Sequence, residues 1–262
     1  MSEHSVTNSS RQPLDIFRLD GRVAIVTGAS AGLGAHFARV LHGAGATVVM
    51  AARRIDRLEA LVAELPGAVA IEADLARAED RERLVARTVA EVGVPRVLVN
   101  NAGIGYKVPV ETEELDWFRE AMEVNVTAIW HLSKLCAPHM IDAGSGNIVN
   151  IASMFGMVGA SPVKQAHYCA SKGAVINLSR ELGLQWARKG VRVNALCPGW
   201  FPSEMTAAMD DEASMNFVRT MSPIPRLGEL GELDGALLLL ASDAASFMVG
   251  SSVVVDGGWT AR

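Results

Sequence analysis

Short apolar runs rich in valine and isoleucine recur along the chain, separated by longer stretches in which apolar residues return every three or four positions. The runs, at about 23–27, 46–52, 68–73, 96–100, 146–152, 190–196 and 252–256, predict strands. VAIVT, VLVN and NIVNIA are nearly continuous in apolar character, as expected of parallel strands covered on both faces. Parallel neighbours need crossovers, and the amphipathic stretches 55–65, 79–92 and 117–141 supply helices for them. The pattern predicts an α/β fold: a single-domain, Rossmann-type doubly wound sheet of about seven parallel strands with helices on both faces. Residues 19–262 carry that domain, behind a polar tail at 1–18 expected to be flexible. The stretch 198–226, rich in proline and methionine, breaks the rhythm and reads as an inserted lid.

Composition narrows the class. Of 262 residues, 50% are hydrophobic and 20% charged, which excludes intrinsic disorder. A net charge of −5 leaves no electrostatic footprint for nucleic acid. The longest aliphatic run, 236–241, is too short to cross a membrane. The N-terminus has no apolar signal segment, so the expected location is the cytoplasm. Three scattered cysteines, Cys136, Cys169 and Cys197, with no C-x-x-C pair, argue against a disulfide framework or a metal site and fit a reducing compartment.

Chemistry enters after the first strand, which runs directly into Thr27-Gly28-Ala29-Ser30-Ala31-Gly32-Leu33-Gly34 and a helix. Glycines there let the backbone turn tightly and approach a pyrophosphate, while the helix N-terminus offers N–H donors to it. The spacing G-x-x-x-G-x-G departs from the usual dinucleotide fingerprint. The same residues match G-x-S-x-G, the serine-hydrolase elbow. That enzyme needs a histidine late in the chain, and none follows His167. A phosphate-binding P-loop fails as well, for want of Gly-Lys-Ser/Thr. An NAD site places an acid about 20 residues past the glycines. Here no acid lies between Gly34 and Asp56, and the second strand ends in Arg53-Arg54. Two guanidinium groups suit a ribose 2′-phosphate, so NADP(H) is favoured and NAD(H) is kept as the alternative.

Tyr168 and Lys172 stand four apart, on one face of a helix. A free phenol titrates near 10 and is a poor proton shuttle at neutral pH. A neighbouring ammonium, with a nicotinamide cation close by, favours the phenolate, and a shift of three units needs about 4 kcal/mol of local electrostatics.

Together these motifs resemble the short-chain dehydrogenase/reductase family over nearly the whole chain, from Leu19 to Asp256-Gly257-Gly258. In family order stand TGASAGLG, Asp74-Leu75, Asn100-Asn101-Ala102-Gly103, Asn125, Ser153, Tyr168/Lys172 and Pro198-Gly199. The resemblance implies that Tyr168 is the general acid in reduction and base in oxidation, with Lys172 lowering its pKa and holding the nicotinamide ribose. It implies that Ser153 orients the substrate carbonyl and that Asn125 holds a water linking Lys172 to solvent. Cofactor contacts would come from Gly28, Ser30, Gly32, Leu33 and Gly34, from Asp74 and Leu75 at the adenine, and from Asn101, Ala102 and Gly103. Pro198, Gly199, Phe201 and Ser203 would complete them, Ser203 standing in for the family's threonine that grips the carboxamide.

The family analogy also implies a small-molecule substrate, a ketone, aldehyde or secondary alcohol, of fairly apolar character. Ser153 and Tyr168, with Met154, Phe155, Trp200 and Met205, would contact it; Met157, Val158 and Phe201 lie in the same neighbourhood. Met205 and Met209 equally suit lid packing. Surface positions are expected for Tyr106, Lys107, Lys164, Gln165 and His167, with His167 as a conceivable second acid. Ser153 and Tyr168 are 15 positions apart, a longer spacing than usual, so the intervening substrate loop is enlarged. Ala31 occupies a position where many NADP-preferring members carry a basic residue. Helices 117–141 and 166–188 resemble the family's subunit-contact helices and imply a homotetramer or homodimer. The competing reading is a catalytically idle NADP(H)-binding regulator, against which the complete Ser–Tyr–Lys set argues.

Overall fold

The computed structural model describes residues 12–206 and 212–261. Seven strands form one sheet: β1 (Val23–Thr27), β2 (Thr47–Ala52), β3 (Val69–Glu72), β4 (Pro95–Asn100), β5 (Gly146–Ile151), β6 (Val191–Pro198) and β7 (Ser252–Val255). All are paired in parallel, in the order β3-β2-β1-β4-β5-β6-β7. The crossover helices are α1 (Gly32–Gly43), α2 (Ile55–Glu64), α3 (Ala78–Glu91), α4 (Leu115–Met122), α5 (Ala128–Asp142) and α6 (Ala166–Trp186). Two more, α7 (Glu212–Met221) and α8 (Asp234–Ala241), lie between β6 and β7.

The continuous apolar reading of the strands follows from a core on each face of the sheet. In β1, Ala24 and Val26 point into a cluster with Phe37 and Leu41 of α1, Leu58 of α2 and Leu237 of α8. Val23 and Ile25 point the other way, into a cluster with Leu84 of α3, Leu132 and Met140 of α5 and Leu182 of α6. Successive side chains of a strand alternate faces, so a strand buried on both sides must be apolar throughout. Each fully buried aliphatic side chain contributes about 1.5–3 kcal/mol of transfer free energy.

Strand order reverses between β1 and β4, and a crevice at the C-terminal ends of these strands is where such sheets bind ligands. The Gly28–Gly34 turn and Asn101–Gly103 leave the sheet there, on either side of the reversal.

Three segments differ from the expectation. The helix expected over 117–141 is split by a π-helical turn, Glu123–Thr127, between α4 and α5. That turn holds Asn125, whose amide exchanges two 2.8 Å hydrogen bonds with the backbone of Ile104. The lid at 198–226 contains the ten-residue helix α7; residues 207–211, including Met209, lie outside the described residues. Within the expected tail, Asp15–Phe17 form a 3-10 turn whose start is tied by the Gln12 N–H donating to Asp15 (2.8 Å), while residues 1–11 lie outside the described residues. Among the described residues, no helix is long and apolar enough to cross a membrane.

Candidate active site

The glycine turn is locked to the end of β4 by close backbone approach. Gly28 has φ +64°, and a Cβ there would stand 2.9 Å from the Ala102 Cα. A Cβ on Gly34 would stand 2.2 Å from the Gly28 carbonyl oxygen, so no side chain fits. Asn101 donates its amide to the Thr27 carbonyl (2.9 Å), and the Thr27 hydroxyl accepts the N–H groups of Asn101 and Ala102 (3.0 and 3.1 Å). The Asn101 side chain thus serves the turn, leaving its neighbours' backbone to line the crevice. Ala31, at the N-cap of α1, supplies no side-chain cap. The first-turn N–H groups of that helix are therefore open to an anion, an arrangement that fits a dinucleotide pyrophosphate.

Other expected cofactor positions separate by environment. The Asp74 carboxylate accepts the Ala76 N–H (3.1 Å) in the loop after β3, and Leu75 is buried in the core. Leu33 is half-buried at the start of α1 and packs against the other core cluster. Gly199, after Pro198 at the end of β6, donates to the Val255 carbonyl (2.9 Å). Phe201 turns its ring into the core, so its side chain is not presented to a cofactor. Ser203 shares a 3.1 Å hydroxyl contact with Thr206, which also donates to the Phe201 carbonyl (2.8 Å). Arg53 is exposed. Arg54 donates to Ser30 Oγ (2.8 and 3.2 Å) and grips the Glu204 carboxylate with two N–H groups (2.7 and 2.8 Å).

Ser153, Tyr168, Lys172 and Asn125 converge next to this crevice. Ser153 caps a 3-10 turn by accepting the Phe155 N–H (3.2 Å), which leaves its own O–H to donate, and its side chain hydrogen-bonds Tyr168. Lys172 Nζ donates to the Ile151 carbonyl (2.7 Å) at the end of β5 and lies 5.5 Å from the centroid of the Tyr168 ring. Asn125 is fully buried; besides Ile104, its amide donates to Ser171 Oγ (2.9 Å). A Cβ on Gly103 would stand 3.2 Å from Asn125 Oδ1 and 3.3 Å from Lys172 Nζ, which places Gly103 between the two.

Burial dominates the electrostatics of the pair. Burial pushes the Tyr168 phenol up to about 12, although the Ser153 hydrogen bond pulls it down. The same burial pushes the Lys172 ammonium down to about 8. Lys172 lies over the ring face, and desolvation is the largest influence on both groups.

The apolar residues expected to touch substrate mostly pack on one another. Met154, Phe155 and Trp200 are buried with Trp259 and Val218, and Phe155, Trp200 and Trp259 meet edge-to-face at 5.3–6.3 Å. Met157, Val158 and Met205 are exposed. Beside this cluster a cavity of about 400 Å³ is lined by Val108, Pro109, Pro162, Val163 and Phe217, with Lys107 and Lys164. The enlarged loop between Ser153 and Tyr168 forms one of its walls.

His167 is not a surface residue. Its Nε2 accepts the Tyr106 N–H (2.9 Å), so Nδ1 carries the proton and donates to the Glu113 carboxylate. With both ring nitrogens committed, it pins the loop after β4 to α6. Glu113 and Glu204 were not legible as site residues, because their partners His167 and Arg54 lie 54 and 150 positions away. The one available signal for His167 was its place beside Tyr168.

A family model described as enoyl-(acyl carrier protein) reductase matches residues 28–260. The chain is 40% identical over 249 residues to galactitol 2-dehydrogenase (L-tagatose-forming) of Cereibacter sphaeroides, covering 94% of this chain and 97% of that protein. It is 36% identical over 253 residues to gluconate 5-dehydrogenase of Gluconobacter oxydans (strain 621H), covering 94% and 97%. The crystal structure of a gluconate 5-dehydrogenase from Burkholderia cenocepacia J2315 in complex with NADP and tartrate superposes with a TM-score of 0.91 at 36% identity, over 96% of this chain and 100% of that one.

Proposed function

The chain belongs to the short-chain dehydrogenase/reductase family, nicotinamide-dependent oxidoreductases of alcohols and carbonyls, and from that premise we propose that it interconverts a compact secondary alcohol and its ketone with NADP(H). The observation that carries this reading is the convergence of Ser153, Tyr168 and Lys172 beside the glycine turn. When bound, the nicotinamide supplies or accepts the hydride. In reduction, the Ser153 O–H donates to the substrate carbonyl and fixes its oxygen toward Tyr168. Tyr168, held protonated by its burial, gives its proton to that oxygen as negative charge develops there. In oxidation the phenolate takes the alcohol proton back. Lys172, anchored on the Ile151 carbonyl, stands beside the ring as the charge that steadies the phenolate, and its place next to Gly103 and Asn125 supports a proton path in that direction.

Arg53 and Arg54, with no acid at the end of β2, support NADP(H) over NAD(H), and NADP in the related gluconate 5-dehydrogenase structure is consistent with that choice. The cavity walls support a largely apolar carbon skeleton, and Lys107 and Lys164 suit an acidic group on its far end. A cytoplasmic setting and a homo-oligomer belong to the same proposal, supported by three unpaired cysteines and by exposed aromatic residues on α4 and α5.

The test is cofactor turnover over a panel of ketones and secondary alcohols, with and without a carboxylate. Tyr168→Phe is expected to lower kcat by about 10²–10⁴-fold while binding NADPH with unchanged affinity. Substrate-dependent turnover that survives the loss of the phenol overturns the mechanism. Absence of turnover in the wild type across the panel, with intact NADPH binding, favours the idle regulator.

A further inference from the structure

The arginine that the sequence offers to a ribose 2′-phosphate is already held by a carboxylate of this chain. Glu204 lies 150 positions beyond Arg54, in the segment after β6. Its Oε1 accepts from Arg54 Nη1 (2.7 Å) and Arg57 Nη1 (2.7 Å), and its Oε2 accepts from Arg54 Nη2 (2.8 Å). The other edge of the Arg54 guanidinium is taken by Ser30 Oγ, in the glycine turn itself. This is the two-pronged geometry in which a guanidinium also takes a phosphate.

Glu204 is not a loose side chain that happens to meet an arginine. A Cβ on Gly32 would lie 3.4 Å from Ser203 Cβ and 4.0 Å from the Glu204 nitrogen, so the backbone of this segment rests against the glycine turn. Thr206 fastens the segment from behind, accepting the Ser203 N–H (2.8 Å) and donating to the Phe201 carbonyl (2.8 Å). The result is a short strap from Phe201 to Thr206 that places one carboxylate at the junction of β2 and α2. The two guanidinium groups hold that carboxyl far below its usual range, at about 2, so it is ionised at any working pH.

We propose that Glu204 is an internal stand-in for the 2′-phosphate, and that a phosphorylated adenine ribose binds by displacing it from Arg54. The proposal rests on the reading of Arg54 as a 2′-phosphate ligand. A phosphate at this position carries more negative charge than a carboxylate and takes the same fork, so it wins the exchange, with Arg57 left to Glu204. A bare 2′-hydroxyl has no charge with which to compete and leaves the strap in place. Glu204 therefore sets how strongly the protein distinguishes the two dinucleotides, by reducing the fraction of time that Arg54 is free. It also ties 2′-phosphate recognition to the first part of the lid, which carries Met205.

Calorimetric titration with adenosine 2′,5′-bisphosphate and with adenosine 5′-monophosphate, which differ only in the 2′-phosphate, reads this without catalysis. Glu204→Gln is expected to tighten the bisphosphate by about fivefold, the scale of one exposed ion pair, and to leave the monophosphate within about twofold. Asp56→Asn removes the same charge next to Arg54 but outside its fork, and is expected to change neither. An unchanged bisphosphate affinity in Glu204→Gln overturns the proposal. So does equal tightening in Asp56→Asn, which would make the effect one of general charge, or weaker monophosphate binding, which would make Glu204 a ribose hydroxyl acceptor. Arg54→Ala separates the two layers. If it abolishes a preference for the bisphosphate and Glu204→Gln does not sharpen that preference, only the stand-in role falls. If the wild type has no such preference and Arg54→Ala changes nothing, the cofactor reading falls with it.

Discussion

At the scale of single residues, the spacing of Tyr168 and Lys172 was legible because an interval of four puts two side chains on one helix face whatever else the chain does. Their ionisation was not legible, because desolvation depends on atoms from β5, the loop after β4 and the lid. With Lys172 at about 8 in the fold against an ordinary 10.5, the unfolded chain binds the extra proton between those values, so this group makes stability rise with pH there. Tyr168 acts oppositely and higher: between 10 and about 12 the unfolded chain has lost a proton that the fold retains, and stability falls. Urea melts of wild type and Lys172→Met across this range are expected to diverge in favour of wild type from pH 8 to 10.5. A constant difference between the two would refute the buried, depressed ammonium. The pair Arg53-Arg54 teaches a similar lesson, since its anion-binding chemistry was readable while the carboxylate already bound to Arg54 came from a position that local spacing cannot reach.

At the scale of elements, strands and helices were read correctly wherever periodicity alone decides them. The π-helical turn escaped because it conserves the apolar pattern and only widens one turn, a change driven by Asn125 bonding to Ile104 on another segment. The loop after β4 is set with comparable closeness. It is pinned to α6 by Tyr106 and His167, and to the loop before α6 by the Val108 N–H donating to the Lys164 carbonyl (2.8 Å). A Cβ on Gly105 would stand 2.7 Å from Tyr168 Cδ2, closer than real contacts allow. The ring, caged by its helix and loop, would have to move away from its place beside Lys172. Gly105→Ala is therefore expected to lower kcat by about tenfold or more, since displacements of an ångström cost that much or worse. NADPH affinity should stay within about twofold, and an unchanged kcat would show that the loop yields instead of the tyrosine.

For the whole molecule, the two-sided core fixes a doubly wound sheet, and the reversal of strand order fixes where its crevice lies. The surface leaves Leu115, Trp117 and Phe118 of α4 and Trp130 of α5 in solvent, at 60, 42, 36 and 43% exposure. That much large apolar area on neighbouring helices fits subunit contact better than a free surface. Phe118→Glu combined with Trp130→Glu is expected to shift the mass seen by light scattering from the oligomer to a single chain, and a wild type already of single-chain mass would refute the assembly. The sequence by itself determined the order and type of elements, the glycine turn and the family, and it singled out Ser153, Tyr168 and Lys172, because each depends on residue type and short intervals. The tertiary structure decided which of those residues share a site, which side chains turn inward, how burial moves the phenol and ammonium, and that Glu204 reaches Arg54. Those outcomes depend on distances between segments far apart in the chain, which only the packing of the whole sheet and its helices sets.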